Sequence, residues 1–274
     1  MTDFSPLVET FDADRFGSKS VQLGAAIRAG LPVPDGFAIA HEIVAGVGAQ
    51  DPATTSSVTA ELDARCAGWP YWAVRSSAIG EDSGDASFAG IHKSILGVSG
   101  IDALLAAIRE VHASASDGGA VAYRARMGLE TALHMAVVVQ RLVDSDVGGV
   151  MFTRNPVTGV EERVIEASWG LGEVVVSGLV TPDRYVLDTL GRLLEHQIGE
   201  KDIAVRRVPA GGTSEETVPG DRIYARCLAE TDLAGLHTLA LQCDRAFGCT
   251  DHDIEFAIKA GSVSLLQRRP ITGA

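Results

Sequence analysis

Two runs of alternating apolar and polar residues near the C-terminus constrain this chain more than any other feature. They are Asp253-Ile254-Glu255-Phe256-Ala257-Ile258 and Val263-Ser264-Leu265-Leu266-Gln267-Arg268-Arg269-Pro270, on either side of a Lys259-Ala260-Gly261-Ser262 turn. Strand-like runs around a glycine predict a hairpin. Side chains alternate faces along a strand, so Asp253 and Glu255 share one face and Ile254, Phe256 and Ile258 the other. With Ala260-Gly261-Ser262 as the loop, Glu255 lies opposite Gln267 and Asp253 opposite Arg269. Carboxylate and amide oxygens suit a hard cation such as Mg²⁺, and arginine suits phosphate. An amphipathic edge hairpin with solvated charges is the competing reading. The pairing also depends on loop length, because a slip of one residue reverses the faces.

The chain has 274 residues, enough for one large domain or two smaller ones. Its net charge of −13 argues against sequence-independent nucleic-acid binding, which needs a basic surface. Any polyanion must therefore meet locally concentrated cations. Cys66, Cys227, Cys243 and Cys249 are scattered and form no CxxC pair, which suits a reducing compartment. Residues 1–9 have neither a basic nor an apolar leader pattern. No apolar run is long enough to span a bilayer. The expectation is a soluble cytoplasmic protein with no membrane partner.

Periodicity and punctuation place the elements. Helices are expected over 18–29, 101–113 and 120–129, and in a long helical region within 221–247. Strands are expected over 36–40, 71–75, 135–142, 149–153 and 163–167, with 185–188 and 193–198 as a pair. Gly170 to Gly172 opens a short helix. The Gly/Ala/Ser/Thr-rich stretch 46–57 reads as a loop or shortened connection. Strands and helices in this order predict an α+β protein.

Several segments carry potential chemistry. Gly17-Ser18-Lys19 starts a helix, where free N–H groups and a lysine can meet phosphate, although the Walker spacing is absent. A capped surface helix is the plainer alternative. Ala73-Val74-Arg75-Ser76-Ser77 ends a strand in arginine and leads to Ala86-Ser87-Phe88-Ala89-Gly90, a loop able to wrap a polyphosphate or form an ordinary turn. Gln140 leaves a core strand where a base could be held. Gly148 to Gly159 and Glu166 to Glu173 add glycines that permit close backbone approach.

Read in order, these motifs resemble the N-terminal ATP-binding domain shared by phosphoenolpyruvate synthase, pyruvate phosphate dikinase and rifampicin phosphotransferase. The likeness runs from Gly17-Ser18-Lys19 through Asn155-Pro156-Val157-Thr158-Gly159, Gly170-Leu171-Gly172-Glu173 and Thr181-Pro182-Asp183 to Gln267-Arg268-Arg269-Pro270. It implies an ATP-grasp-like, two-lobed nucleotide-binding fold, with residues 1–143 as the phosphate-binding lobe and 144–274 as the lobe of the metal-binding hairpin. By family position, Lys19, Arg75 and Arg269 act on phosphates and are the catalytic set. Gly90 ends the covering loop, and Gln140 lies at adenine. Glu255 and Gln267 hold Mg²⁺, with Asp253 beside them. The segment between Lys19 and Arg75 looks short, where the family usually places more helix.

The resemblance further implies an ATP-dependent phosphotransferase of the dikinase type, with ATP and Mg²⁺ as cofactors. Family enzymes pass the β-phosphoryl group to a histidine on a separate swivelling domain. None of the seven histidines here sits in the Thr-Ser-His type of motif expected of it. The phosphohistidine domain and the acceptor-binding domain would therefore act in trans. Two alternatives stay open: a nucleotide-binding interaction module without transfer activity, and a fragment of a longer phosphoenolpyruvate synthase-like enzyme.

Overall fold

A computed structural model describes residues 3–79, 93–116 and 134–271. The covering loop with Gly90 and the helix expected over 120–129 lie outside the described residues. The chain divides into two compact units. The first comprises Met1–Gly24, Asp35–Leu142 and Val208–Gly212, and the second Ala25–Pro34, Val143–Arg207 and Thr213–Ala274.

The first unit is built on β1 (Phe4–Pro6), β2 (Gly36–Ile39), β3 (Trp72–Ala78), β4 (Ser94–Val98) and β5 (Met135–Arg141). They form an antiparallel sheet in the order β1-β2-β5-β3-β4. Its short opening helices are α1 (Ala13–Phe16) and α2 (Ser18–Arg28), the latter continuing into the second unit. Three more helices, α3 (His41–Gly48), α4 (Pro52–Cys66) and α5 (Ile101–Ser114), join one sheet face in a single core. Trp72, Val74 and Ala78 from β3 and Met135, Val137 and Val139 from β5 supply that face, every second residue as a pleated strand dictates.

The second unit holds β6 (Val147–Phe152), β7 (Arg163–Trp169), β8 (Asp183–Leu187), β9 (Leu193–Gln197), β12 (His252–Lys259) and β13 (Ser262–Pro270). Their antiparallel order is β13-β12-β6-β7-β8-β9. A two-stranded hairpin, β10 (Ile203–Arg207) with β11 (Thr213–Thr217), forms its own sheet and meets the larger one by a bridge between Val205 and Gly170. Short helices α6 (Glu173–Val176) and α7 (Gly220–Ile223) precede α8 (Glu230–Phe247). Leu233, Leu236, Leu239, Ala240 and Cys243 of α8 pack with Ile254, Phe256, Ile258 and Leu265 of the closing hairpin. No helix among the described residues is long and apolar enough to cross a membrane.

The α+β expectation holds, and most predicted strands appear within two or three residues of their expected ends. The stretch 46–57 is corrected: α3 runs to Gly48 and α4 begins at Pro52, so most of it is helical. Asp51 caps α4 by accepting a hydrogen bond from the Thr54 N–H (2.8 Å), with Pro52 at the first turn. Val58, Leu62 and Cys66, four residues apart, form its buried stripe. The glycines that suggested a loop are helix-packing contacts. A Cβ on Gly46 would come within 2.8 Å of the Thr54 side chain, and one on Gly48 within 2.4 Å of the His112 ring. Strands β1, β10 and β11 are not foreseen, being short or polar.

Candidate functional site

In the first unit the fold brings Gly17-Ser18-Lys19 and Ala73-Val74-Arg75-Ser76-Ser77 together. The Lys19 ammonium donates to the Ser76 carbonyl at 2.7 Å, although 57 positions separate the two. The Ser77 hydroxyl donates to the Phe16 carbonyl (2.8 Å) and accepts from the Ser20 N–H (3.2 Å), so the start of α2 is seated on β3. Gly17 makes this approach possible. Its φ is +79°, and a Cβ there would lie 2.0 Å from the Ser77 carbonyl oxygen.

On β3 and β5, Arg75 is opposite Val138 and Ala73 opposite Gln140. Arg75 and Gln140 therefore point to the sheet face away from the apolar core. Lys19, Arg75 and Gln140 are all buried, at 6%, 7% and 2% exposure. Burial of such groups demands polar partners, which marks the set as built rather than incidental. Beyond Gln140, the Arg141 N–H donates to the Asp35 carbonyl (2.8 Å) and the Leu142 N–H to the Tyr71 carbonyl (3.1 Å). Those two amides are engaged in joining neighbouring segments.

In the second unit the hairpin pairs as expected, with Glu255 opposite Gln267 and Asp253 opposite Arg269. The route differs. Lys259 pairs with Ser262, so the turn is the two residues Ala260-Gly261 rather than three. Both have positive φ, +48° and +75°, the requirement of a type I′ turn. A bulge next to Glu255 then absorbs Leu266: Phe256 pairs with Leu265, and Glu255 with Gln267. The extra residue restores the faces that the shorter turn would have exchanged. Asp146 holds the turn, accepting from the Lys259 ammonium (2.7 Å) and the Ala260 N–H (2.9 Å).

On the hairpin face opposite the core, the Arg269 guanidinium lies 3.1 Å from an Asp253 oxygen and 3.9 Å from a Glu255 oxygen. Burial raises the Asp253 pKa, neighbouring Glu255 raises it further, and Arg269 opposes both. At Asp253 burial thus outweighs Arg269, and additional positive charge at this face would favour its carboxylate form. Two carboxylates and an amide oxygen are also a hard-cation donor set, so the residues present fit Mg²⁺. Among the described residues no three His, Cys, Asp or Glu side chains cluster in metal-site geometry. The protein would supply only part of an octahedral shell, as is usual for Mg²⁺ bound with phosphates and water.

The other motifs of this unit serve its framework. Asn155 accepts from the Val157 and Thr158 N–H groups (2.9 and 3.1 Å) and donates to Glu162 (2.6 Å), folding the turn after β6. Thr153 donates to the Thr250 carbonyl (2.6 Å) and accepts from the His252 N–H (2.6 Å), tying that turn to β12. A Cβ on Gly148 would come within 2.4 Å of the Gly172 nitrogen, so the two glycine motifs pack on each other.

Asp183 is a buried hub that its sequence setting did not disclose. One oxygen accepts from the Lys201 ammonium and the Gly199 N–H; the other accepts from the Tyr185 hydroxyl (3.0 Å) and the Cys227 N–H (2.8 Å). Asp183 and Lys201 are fully buried. Its partner Lys201 lies 18 residues further on with no pattern of its own.

Residues 52–274 match the family described as pyruvate phosphate dikinase, AMP/ATP-binding domain. The chain belongs to this family. A probable phosphoenolpyruvate synthase of Methanothermobacter thermautotrophicus is 34% identical over 93% of this chain and 44% of its own length. One from Archaeoglobus fulgidus is 33% identical over 97% of this chain and 41% of its own. The rifampicin phosphotransferase of Bacillus subtilis is 34% identical over 73% of this chain and 23% of its own length. The chain thus spans less than half the length of these relatives. Family membership bears out the resemblance read from the motifs. Among solved structures, a D-alanine–D-alanine ligase of Bacillus anthracis aligns with 92% of this chain and 56% of its own at a TM-score of 0.43 and 10% identity. So distant a likeness carries no functional information.

Proposed function

We propose that the chain binds Mg-ATP as the nucleotide domain of a dikinase-type phosphotransferase, and that the β-phosphoryl group passes to a histidine on a partner domain or protein. The observation that carries this reading is the Glu255–Gln267 cross-strand pair beside Asp253 and Arg269, in a chain of the AMP/ATP-binding family. Lys19 and Arg75 act on the phosphates from the first unit, and Gln140 meets adenine. Glu255 and Gln267 ligate the metal, Asp253 supports them, and Arg269 contacts phosphate. Mg²⁺, when bound, supplies charge neutralisation to the phosphate oxygens. Phosphoryl transfer asks of the protein mainly position and counter-charge, which arginine and lysine on rigid strand and helix positions provide. AMP leaves after the β-phosphoryl moves, and the γ-phosphoryl goes to water or phosphate.

The test is product analysis after incubation with ATP and MgCl₂, with and without a phosphohistidine-domain protein. AMP formed only with that partner is expected. ADP from the chain alone would contradict a dikinase, and tight ATP binding with no phosphorylated histidine on any partner would favour a binding module.

A further inference from the structure

The first unit brings two histidines close together. His41 is the first residue of α3, and His134 precedes β5 by one residue. Their Nδ1 atoms are 3.2 Å apart, with ring centroids 4.4 Å apart and planes inclined at 61°. As the chain stands, one Nδ1 donates to the other. We propose that this pair is a binding site for a borderline divalent transition metal of the zinc class.

The geometry suits the ion. Two nitrogens 3.2 Å apart, each about 2.05 Å from one ion, subtend about 103° at it, near the tetrahedral angle zinc adopts. Imidazole nitrogen selects zinc, nickel or copper, whereas Mg²⁺ takes oxygen, so the site would not compete for the nucleotide's metal. A metal on Nδ1 places the His41 proton on Nε2, which faces a Glu42 oxygen at 3.6 Å. That carboxylate–histidine–metal arrangement fixes a ring and strengthens it as a ligand. Arg15 does not approach as a bare charge, since it pairs with Asp3 (2.8 Å) and lies 3.7 Å from Glu42. His134 is exposed, giving an ion access. With no third His, Cys, Asp or Glu in place among the described residues, water completes the shell.

The experiment is a calorimetric titration of the full chain with ZnCl₂ under excess MgCl₂, repeated on His134→Asn, His41→Asn and Cys249→Ser. The expected result is one saturable equivalent, weakened at least about tenfold in each histidine variant and unchanged in Cys249→Ser. Circular dichroism confirms that each variant folds. If His41→Asn does not fold, the exposed His134→Asn decides alone. Absence of a saturable equivalent, or full affinity in His134→Asn, would overturn the proposal.

Discussion

Single residues here divide into those that hold the frame and those proposed to meet the nucleotide, and substitution separates them. Glu255 is half-buried beside Asp253 and Arg269 and lies opposite Gln267. Glu255→Gln keeps the shape and removes the charge. The expected outcome is loss of Mg-dependent AMP formation, with the melting temperature nearly unchanged by scanning calorimetry. Asp183 behaves in the opposite way. Its carboxylate satisfies Lys201, Gly199, Tyr185 and Cys227 at zero exposure, so Asp183→Asn strands a buried ammonium. Removing one partner of a buried pair costs about 3–5 kcal/mol, a loss that denaturant unfolding would detect. Lys19, Arg75, Gln140, Glu255 and Gln267 were legible as candidates because each sits in a motif. Lys201 was not, because its importance arises only when the chain folds back on Asp183.

At the scale of elements, the sequence was informative wherever burial imposed a pattern and misleading where small residues were packing devices. β12 could be drawn from its alternation and β5 from its continuous apolar run. Helices α3 and α4 could not, since Gly46 and Gly48 belong where neighbouring helices leave no room for a side chain. The β10–β11 hairpin carries Arg206, Arg207, Glu215 and Glu216 in place of an apolar stripe, and so gave no periodic signal. The turn of the closing hairpin offers a direct test. Ala260 sits at φ +48°, a region that costs an ordinary residue energy and that asparagine tolerates. Ala260→Asn creates the Asn-Gly pair favoured in type I′ turns. It should stabilise the protein by about 0.5–1 kcal/mol, read from the urea midpoint, while Asp146 keeps its bond to the backbone N–H.

For the whole molecule, acid stability follows from histidines kept neutral. Burial, assisted by the Arg268 guanidinium, pushes the His252 pKa down to about 4. Arg268 donates to its Nδ1 at 2.9 Å, and Asp244 lies 3.2 Å from its Nε2. An unfolded His252 takes up a proton near its ordinary value of 6.5, but the folded one does not until much lower pH. The unfolded state therefore binds more protons between those values, and stability falls as pH drops through that window. His41, His196 and His237 are also lowered, each chiefly by burial, and act in the same sense. Asp244 is raised by burial and acts oppositely, near the carboxylate range. Chemical denaturation between pH 6.5 and 5 should thus show a falling midpoint, with a shallower slope in His252→Gln. An unchanged slope in that variant would assign the effect to the other histidines.

The bulge at Leu266 has a consequence for descent as well as for shape. Eleven residues separate Glu255 from Gln267. An odd spacing keeps them face to face either with a three-residue turn and an even ladder, or with a two-residue turn and one residue looped out of the strand. Evolution can therefore trade length between turn and strand, and a single insertion keeps the two residues opposed only where the turn lengthens or a residue loops out. Among descendants of one ancestor, length changes in this hairpin should fall at the turn or at the bulge.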